Sequence, residues 1–413
     1  MNAVGIDVSK GKSMVTIIRP FGEVVCIPFE VKHNEEELNN LSKIISKLNG
    51  ETRIVMEATG GYHESIAKYL QNKGFFVSVI NPILIHDFNH NTLRKVKTDK
   101  ADALKIANYA LTNWIELREY TPENELRKTL KIVCREYEHS CKISTMMKNN
   151  LYALLELTFP KIEQQFTSPA KESDGHEKWI DFVLKFWHKD TVAKLPFSAF
   201  AKKYETWCKN NNYYFNNAAA KDIHNFSRTT VASIEIDAHM KNLVKQICMQ
   251  LIAVLETIAK LRKEMDEIAS QLPEYDTVKE MFGTGKILTP QLIAEIGDTR
   301  RFKNRKAITA FAGFDPPPYQ SGTVDVKSRS ISKRGSARLR RILFLVIKCY
   351  IMSKPEDEPV YQFICKKKAE GKNFYVYMTA AANKFLRIYY ARVNEVLLKK
   401  QFADCSNTIS DSL

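Results

Sequence analysis

Four carboxylates stand where acids are unusual or paired. Asp7 interrupts the apolar run Val4–Val8, and Glu57 closes the run that begins at Ile54. Asp99 and Asp102 lie three apart in KTDKADALKIANYAL, which the spacing predicts as a helix, so both fall on one face. An acid inside an apolar strand is costly unless it is paired or metal-bound. Four carboxylates meeting at one end of a sheet would form an all-oxygen cage, which selects Mg²⁺ or Mn²⁺. Two such ions about 3.5–4 Å apart could clamp the attacking and leaving oxygens of a phosphodiester. Taken singly, each acid also fits a turn, a cap or a solvated surface, and Asp99 fits a plain first-turn helix acid.

A second chemistry-bearing stretch runs from Phe311 to Phe344. It holds Pro316–Pro318, then Ser321-Gly322, then a dense basic run. The prolines exclude helix, and Gly322 allows close approach to a serine expected on a loop. A serine hydroxyl attacks a phosphodiester only if it loses its proton and if charge on the phosphate is neutralised. Arg329, Lys333 and Arg334 could do the second, whereas no histidine lies close in sequence to do the first. A turn serine bonding its own backbone is the competing reading. From Arg300 to Arg341 there are twelve basic residues and two acids, Asp315 and Asp325. Arg300, Arg301, Lys303, Arg305, Lys327, Arg329, Lys333, Arg334, Arg338 and Arg340 are the candidate nucleic-acid contacts.

The whole chain, 413 residues, carries a net +15, so most of its excess sits in a tenth of its length. Charge concentrated in this way points to a polyanion partner. Eight cysteines show no C-x-x-C and no metal spacing, which fits free thiols in a reducing compartment. Asp7 and Lys10 interrupt any signal peptide, and the apolar run Ile342–Ile347 is too short to span a bilayer. A cytoplasmic, nucleoid-associated protein with nucleic acid as the polyanion is the expectation.

The elements that must position these residues read as follows. Residues 3–31 give three consecutive strands, followed by helix, strand (RIVMEATG), helix, strand (FFVSVINP) and the helix of Asp99 and Asp102. That order predicts a mixed α/β sheet over residues 1–115. Residues 116–160 read as a helical extension broken by Pro160. Residues 161–230 are polar and aromatic, with Trp179, Trp187, Trp207, Tyr204, Tyr213, Tyr214 and Phe215. These rings either pack a small helical core or stack on exposed bases. Residues 231–273 carry a four-three apolar seam from Leu243 to Leu272, read either as a coiled coil with a second protomer or as a hairpin within the chain. Residues 274–400 begin with Gly283 and Gly285 before a short apolar helix that Gly297 ends. This start is like a helix-hairpin-helix, which offers backbone N–H groups to phosphates. Residues 401–413 form a tail expected to fray.

The motifs GIDVSK, VMEATGGYH and KTDKADA resemble the RuvC-like (RNase H-fold) domain of the DEDD transposases, the family of the Piv-type invertases and the bridge-RNA-guided recombinases. AEIGDTRRF, AGFDP, the S-G step and ISKRG resemble that family's C-terminal transposase domain. The resemblance covers residues 3–150 and 275–400 and leaves the aromatic insertion unmatched. It implies an α/β RuvC-like domain and a mostly α C-terminal domain joined by a long coiled-coil helix. Asp7, Glu57, Asp99 and Asp102 would be catalytic metal ligands, and Ser321 would be the covalent nucleophile. Thr323, Ser330 and Ser332 are lesser candidates, because TVDVKSRS lacks the glycines usual in that spacer. The resemblance further implies DNA as substrate, a 5′-phosphoserine intermediate, a guide (bridge) RNA, and a homodimer or homotetramer.

Three rival readings make different demands. A metal-dependent RNase H-fold nuclease or junction resolvase needs no covalent serine. An actin-like ATPase or sugar kinase needs a second Gly-rich acidic loop, which the sequence lacks. A non-catalytic DNA-binding protein needs no acidic quartet.

Overall fold

A computed structural model describes residues 1–88, 98–316, 320–321, 324–325 and 330–410; for 320–321, 324–325 and 402–410 it describes the backbone alone. The chain forms two compact units, Met1–Glu123 and Asn124–Leu413.

The first unit is a five-stranded sheet in the order β3-β2-β1-β4-β5. Its strands are β1 (Asn2–Val8), β2 (Lys12–Ile18), β3 (Val24–Lys32), β4 (Thr52–Glu57) and β5 (Phe76–Ile80). The first three form an antiparallel meander, while β1–β4 and β4–β5 are parallel. Strand alternation sorts β1 cleanly. Val4, Ile6 and Val8 pack in one core with Leu38, Leu41 and Ile45 of α1 (Glu35–Ser46) and Ile66 and Leu70 of α2 (Tyr62–Asn72). Ala3, on the other face, joins Ile106, Ala107 and Ala110 of α4 (Asp99–Thr112). This is the mixed sheet that the sequence implied. A short helix α3 (Pro82–Phe88) was not foreseen after the strand-ending Pro82.

The second unit is helical apart from the short pair β6 (Gln320–Ser321) and β7 (Val324–Asp325). Its spine is α5 (Glu125–Thr158) lying along α10 (Ala238–Ser270), each about 50 Å long at 1.5 Å per residue. One end of the pair, around Leu151, Leu155, Val244 and Leu251, shares a core with the insertion. The insertion contributes α6 (Lys178–Lys185), α7 (Asp190–Ala193), α8 (Phe197–Asn210) and α9 (Asn217–Thr229). The other end, around Leu130, Tyr137, Ile258 and Met265, shares a core with α11 (Tyr275–Lys279), α12 (Gly285–Ile296), α13 (Arg305–Ala312), α14 (Ala337–Ser353), α15 (Pro359–Ala369) and α16 (Phe374–Ser410).

The structure bears on two alternatives that the sequence leaves open. The four-three seam of α10 is filled from within the chain: Leu251, Ile258 and Met265 are buried in the cores that α5 shares. Its periodicity therefore needs no second protomer. The aromatic rings of the insertion build its core: Trp179, Trp187, Tyr204 and Trp207 are all buried, and Tyr204 stacks on Phe200 and Trp207. Only Tyr214 of the group is wide open, at 85% exposure. By length and composition α10 is also the one described helix able to cross a membrane, yet it lies packed along α5.

The base of the spine holds a buried ion pair between Arg127 of α5 and Glu274, whose side chain is fully enclosed. Breaking such a pair strands the remaining charge. Arg127→Met is expected to cost about 3–5 kcal/mol in chemical denaturation. Adding Glu274→Gln should recover most of that loss; a double variant no better than the single one would show that the pair is not what holds this junction.

Candidate functional site

Asp7 and Glu57 each follow the Ile6–Met56 pair of the parallel β1–β4 ladder, so both end their strands at the same level. Alternation puts Asp7 on the face of Ala3 and Gly5, the face that α4 covers. Gly5 is what lets α4 lie so close. A Cβ built there would sit 2.3 Å from the Ala103 carbonyl oxygen and 2.7 Å from the Ala107 Cβ. Thr98 caps α4, its Oγ1 accepting from the Ala101 N–H at 3.2 Å. Asp99 and Asp102 then occupy the first turn. The cap thus belongs to Thr98, which leaves both aspartates free of that duty. Asp102 is half-buried and Asp99 exposed.

The four acids share one electrostatic field. The Asp7 carboxyl is pushed up to about 6 by burial and by the negative charges of Asp102, Asp99 and Glu57. Glu57 is raised by burial and by Asp102. Among the described residues, the Lys105 ammonium lies 2.7 Å from Asp102 Oδ1, one turn along α4. Among the described residues, no three His, Cys, Asp or Glu side chains are gathered closely enough to hold one ion as they stand. The oxygen-only donors and their mutual repulsion nonetheless fit a hard divalent cation, because a positive charge among them offsets the repulsion that, after burial, raises Asp7. Gly5 and Lys105 escaped the sequence reading. The i, i+2 spacing in Gly5-Ile6-Asp7 was the available signal for the first, and the i, i+3 spacing of Asp102 and Lys105 for the second.

The basic window divides by what its side chains already hold. Arg340 is turned inward, its Nη1 donating at 3.0 Å to the carbonyls of Ala312 and Gly335. One nitrogen of its guanidinium thus has a structural duty inside the fold, which its reading as a nucleic-acid contact did not include. Arg301 donates to the Ile296 carbonyl at 2.9 Å and sits over the rings of Phe302 and Phe311. Arg300 forks onto Asp298 at 2.7 Å. Arg338 and Arg341 share Glu138 of α5. Lys303, Arg305 and Lys333 are exposed, and no ion-pair partner among the described residues claims them; Arg334 is exposed as well. Lys327 and Arg329 lie outside the described residues, as does Thr323. Ser321 is the last residue of β6, paired with Val324, rather than a loop residue. Ser330 is exposed, and the Ser332 hydroxyl donates to Asp315 Oδ1 at 2.6 Å. The apolar helix after Gly285, α12, is mostly core: Leu292, Ile293 and Ile296 are fully buried.

Two variants test this geometry. Asp7 titrates higher in the folded chain than its ordinary 3.8, so the folded state holds the extra proton and stability falls as pH rises through that window. In chelator-treated protein Asp7→Asn should therefore raise the Tm at neutral pH, and the gain should vanish by about pH 4. An equal gain at both pH values would show that the carboxylates do not share a field. Gly5→Ala should lower stability by about 1–3 kcal/mol through overpacking and bring the Asp7 titration back toward its ordinary value as α4 moves away. An Asp7 titration left in place would rule out that role for Gly5.

Two family models match the chain. One, for DEDD transposases of the IS110 type and described as "Transposase", matches residues 4–160; the other, "Transposase IS116/IS110/IS902 family", matches residues 275–362. The "Pilin gene-inverting protein" of Moraxella lacunata is 22% identical over 342 residues, covering 83% of this chain and 80% of its own length. The "Insertion element IS116 uncharacterized 44.8 kDa protein" of Streptomyces clavuligerus is 23% identical over 372 residues, covering 89% and 88%. A Thermus thermophilus RuvC structure aligns with 29% of this chain and all of its own, at 13% identity and a TM-score of 0.23. Both ends of the chain, the sheet with its acids and the helical unit with its serine and basic run, are thus claimed by one family. The chain belongs to the IS116/IS110/IS902 family of insertion-sequence transposases, enzymes of DNA transposition and site-specific recombination with a RuvC-like N-terminal domain.

Proposed function

We propose that this transposase cleaves and exchanges DNA strands with Ser321 as covalent nucleophile, assisted by a metal site of Asp7, Glu57, Asp99 and Asp102. The observation that carries the reading is the gathering of four carboxylates at the end of β1, where burial and the charges of Asp102, Asp99 and Glu57 raise Asp7 to about 6. Mg²⁺, or Mn²⁺ in its place, would supply Lewis-acid neutralisation of phosphate charge when bound there. Asp7 and Glu57 would hold it from the sheet and Asp99 and Asp102 from α4, with Lys105 yielding Asp102.

The Ser321 hydroxyl oxygen forms a bond to phosphorus, and the bond from phosphorus to the 3′-oxygen breaks. The serine proton passes to solvent or a carboxylate, and the departing 3′-oxygen takes up a proton. The DNA 5′ end is then held as a phosphoserine until the 3′-hydroxyl of the exchanged strand reverses the step. Lys303, Arg305, Lys333 and Arg334 are exposed and suited to hold phosphates on either side of the break. Choice of target is assigned to a guide RNA paired with DNA, and the working unit to a homodimer or homotetramer.

The test is capture of the covalent intermediate. Tagged chain is recovered under denaturing conditions from cells carrying the element, and attached DNA is measured. Wild type should carry DNA with a free 3′-hydroxyl opposite the attached end, and Ser321→Ala should carry none. Wild-type cleavage with no attached DNA at all would favour the metal-only nuclease. RNA sequenced from native preparations should be a single structured species; its absence would remove the guide.

A further inference from the structure

The two family motifs AGFDP (312–316) and ISKRG (331–335) are interlocked in space. The Ser336 N–H donates to the Phe311 carbonyl at 2.8 Å, the Lys333 N–H to the Gly313 carbonyl at 3.1 Å, and the Ser332 N–H to the Asp315 carbonyl at 2.8 Å. The Ser332 hydroxyl adds its bond to Asp315 Oδ1, between residues 17 apart. Two glycines make the crossing possible. A Cβ on Gly335 would lie 2.2 Å from the Phe311 oxygen, and one on Gly313, at φ 69°, would lie 2.8 Å from the Gly335 nitrogen. Arg340 pins the crossing from below through the carbonyls of Ala312 and Gly335. Lys333 is held at φ 55°, a left-handed conformation that a lysine keeps only where its surroundings impose it.

The chain between the two halves of this clasp, residues 316–331, contains Ser321. Fixing both ends of a segment removes much of its conformational freedom. Asp315 and Ser332 form the last side-chain bond of the clasp, nearest to that segment. We infer that the Asp315–Ser332 pair is a positioning device for the strand-transfer reaction, setting where the Ser321-bearing segment presents its nucleophile. The inference rests on the proposed role of Ser321. It also gives Ser332, one of the lesser nucleophile candidates, a different part: its hydroxyl holds the clasp.

The experiment uses full-length tagged chain in cells carrying the element. Three quantities are read: DNA attached under denaturing conditions, DNA retained after formaldehyde crosslinking, and the Tm of purified protein. Asp315→Ala and Ser332→Ala should each lower covalent attachment by about 10- to 100-fold, as expected for a displaced reacting group. Crosslinked occupancy and Tm should stay close to wild type. Asp315→Asn keeps an oxygen that accepts from the Ser332 hydroxyl and should restore attachment. Unchanged attachment in both alanine variants overturns the inference, and so does an asparagine variant as poor as the alanine one. Occupancy and Tm falling in step with attachment overturn it too, since they mark a merely structural role. Should Asp315→Ala fail to accumulate, Ser332→Ala, which removes a single hydroxyl, is read beside Ser321→Ala. Ser321→Ala separates the two levels: attachment that survives in it defeats the serine assignment itself, and attachment lost only in Ser332→Ala makes Ser332 the nucleophile.

Discussion

The acidic site depends on a contact that only a glycine permits. The backbone of α4 comes so near β1 that no side chain fits at Gly5, where an added Cβ would meet the Ala103 oxygen at 2.3 Å. Everything chemical in the first unit follows from that approach. It brings the first turn of α4 to the ends of two parallel strands, and the acids on all three elements then feel one another. Burial and repulsion together, visible at Asp7, are the cost of that placement. Among the described residues, Lys105 answers part of it through Asp102. Active sites often store an unfavourable interaction that binding later relieves, and here the stored interaction is a surplus of negative charge.

The second unit solves a different problem. It must hold a strongly basic segment without letting the charges dissipate into internal pairs. The fold sorts them. Arg340 and Arg301 are absorbed as structural pins, donating to backbone carbonyls. Arg338 and Arg341 lean on Glu138. Lys303, Arg305 and Lys333 stay exposed. A guanidinium with five donors in a rigid fork suits the bridging tasks that Arg340 and Arg301 carry out.

Much of the fold was legible in the sequence, because periodicity reports burial directly. The meander, the crossover order and the helix carrying Asp99 and Asp102 all read correctly from apolar spacing. The break at Pro160 lies just past the end of α5 at Thr158. What periodicity cannot report is the identity of the partner. The seam of α10 was visible, yet nothing in it distinguishes α5 from a second chain. Composition has the same limit. The rings of Trp179, Trp187, Tyr204 and Trp207 could be counted, but whether they face a core or a base depends on helices that meet only in three dimensions. Arg340 looked like its neighbours because a charge count is blind to the carbonyls that occupy it. Gly5 and Gly335 were silent for the opposite reason: their contribution is the absence of atoms, and only the facing backbone reveals it.

The arrangement of the spine has one more consequence. The insertion builds its hydrophobic core jointly with one end of the α5–α10 pair, while the C-terminal helices are packed at the other. The two family matches stop at residue 160 and resume at 275, and the insertion lies in the gap between them. A stalk of this kind separates what is attached at its tip from the machinery at its base. Evolution can therefore lengthen, shorten or replace the tip without re-solving the packing around the serine and the basic run. A changed tip must still cover the spine residues it now buries, among them Leu151, Leu155, Val244 and Leu251.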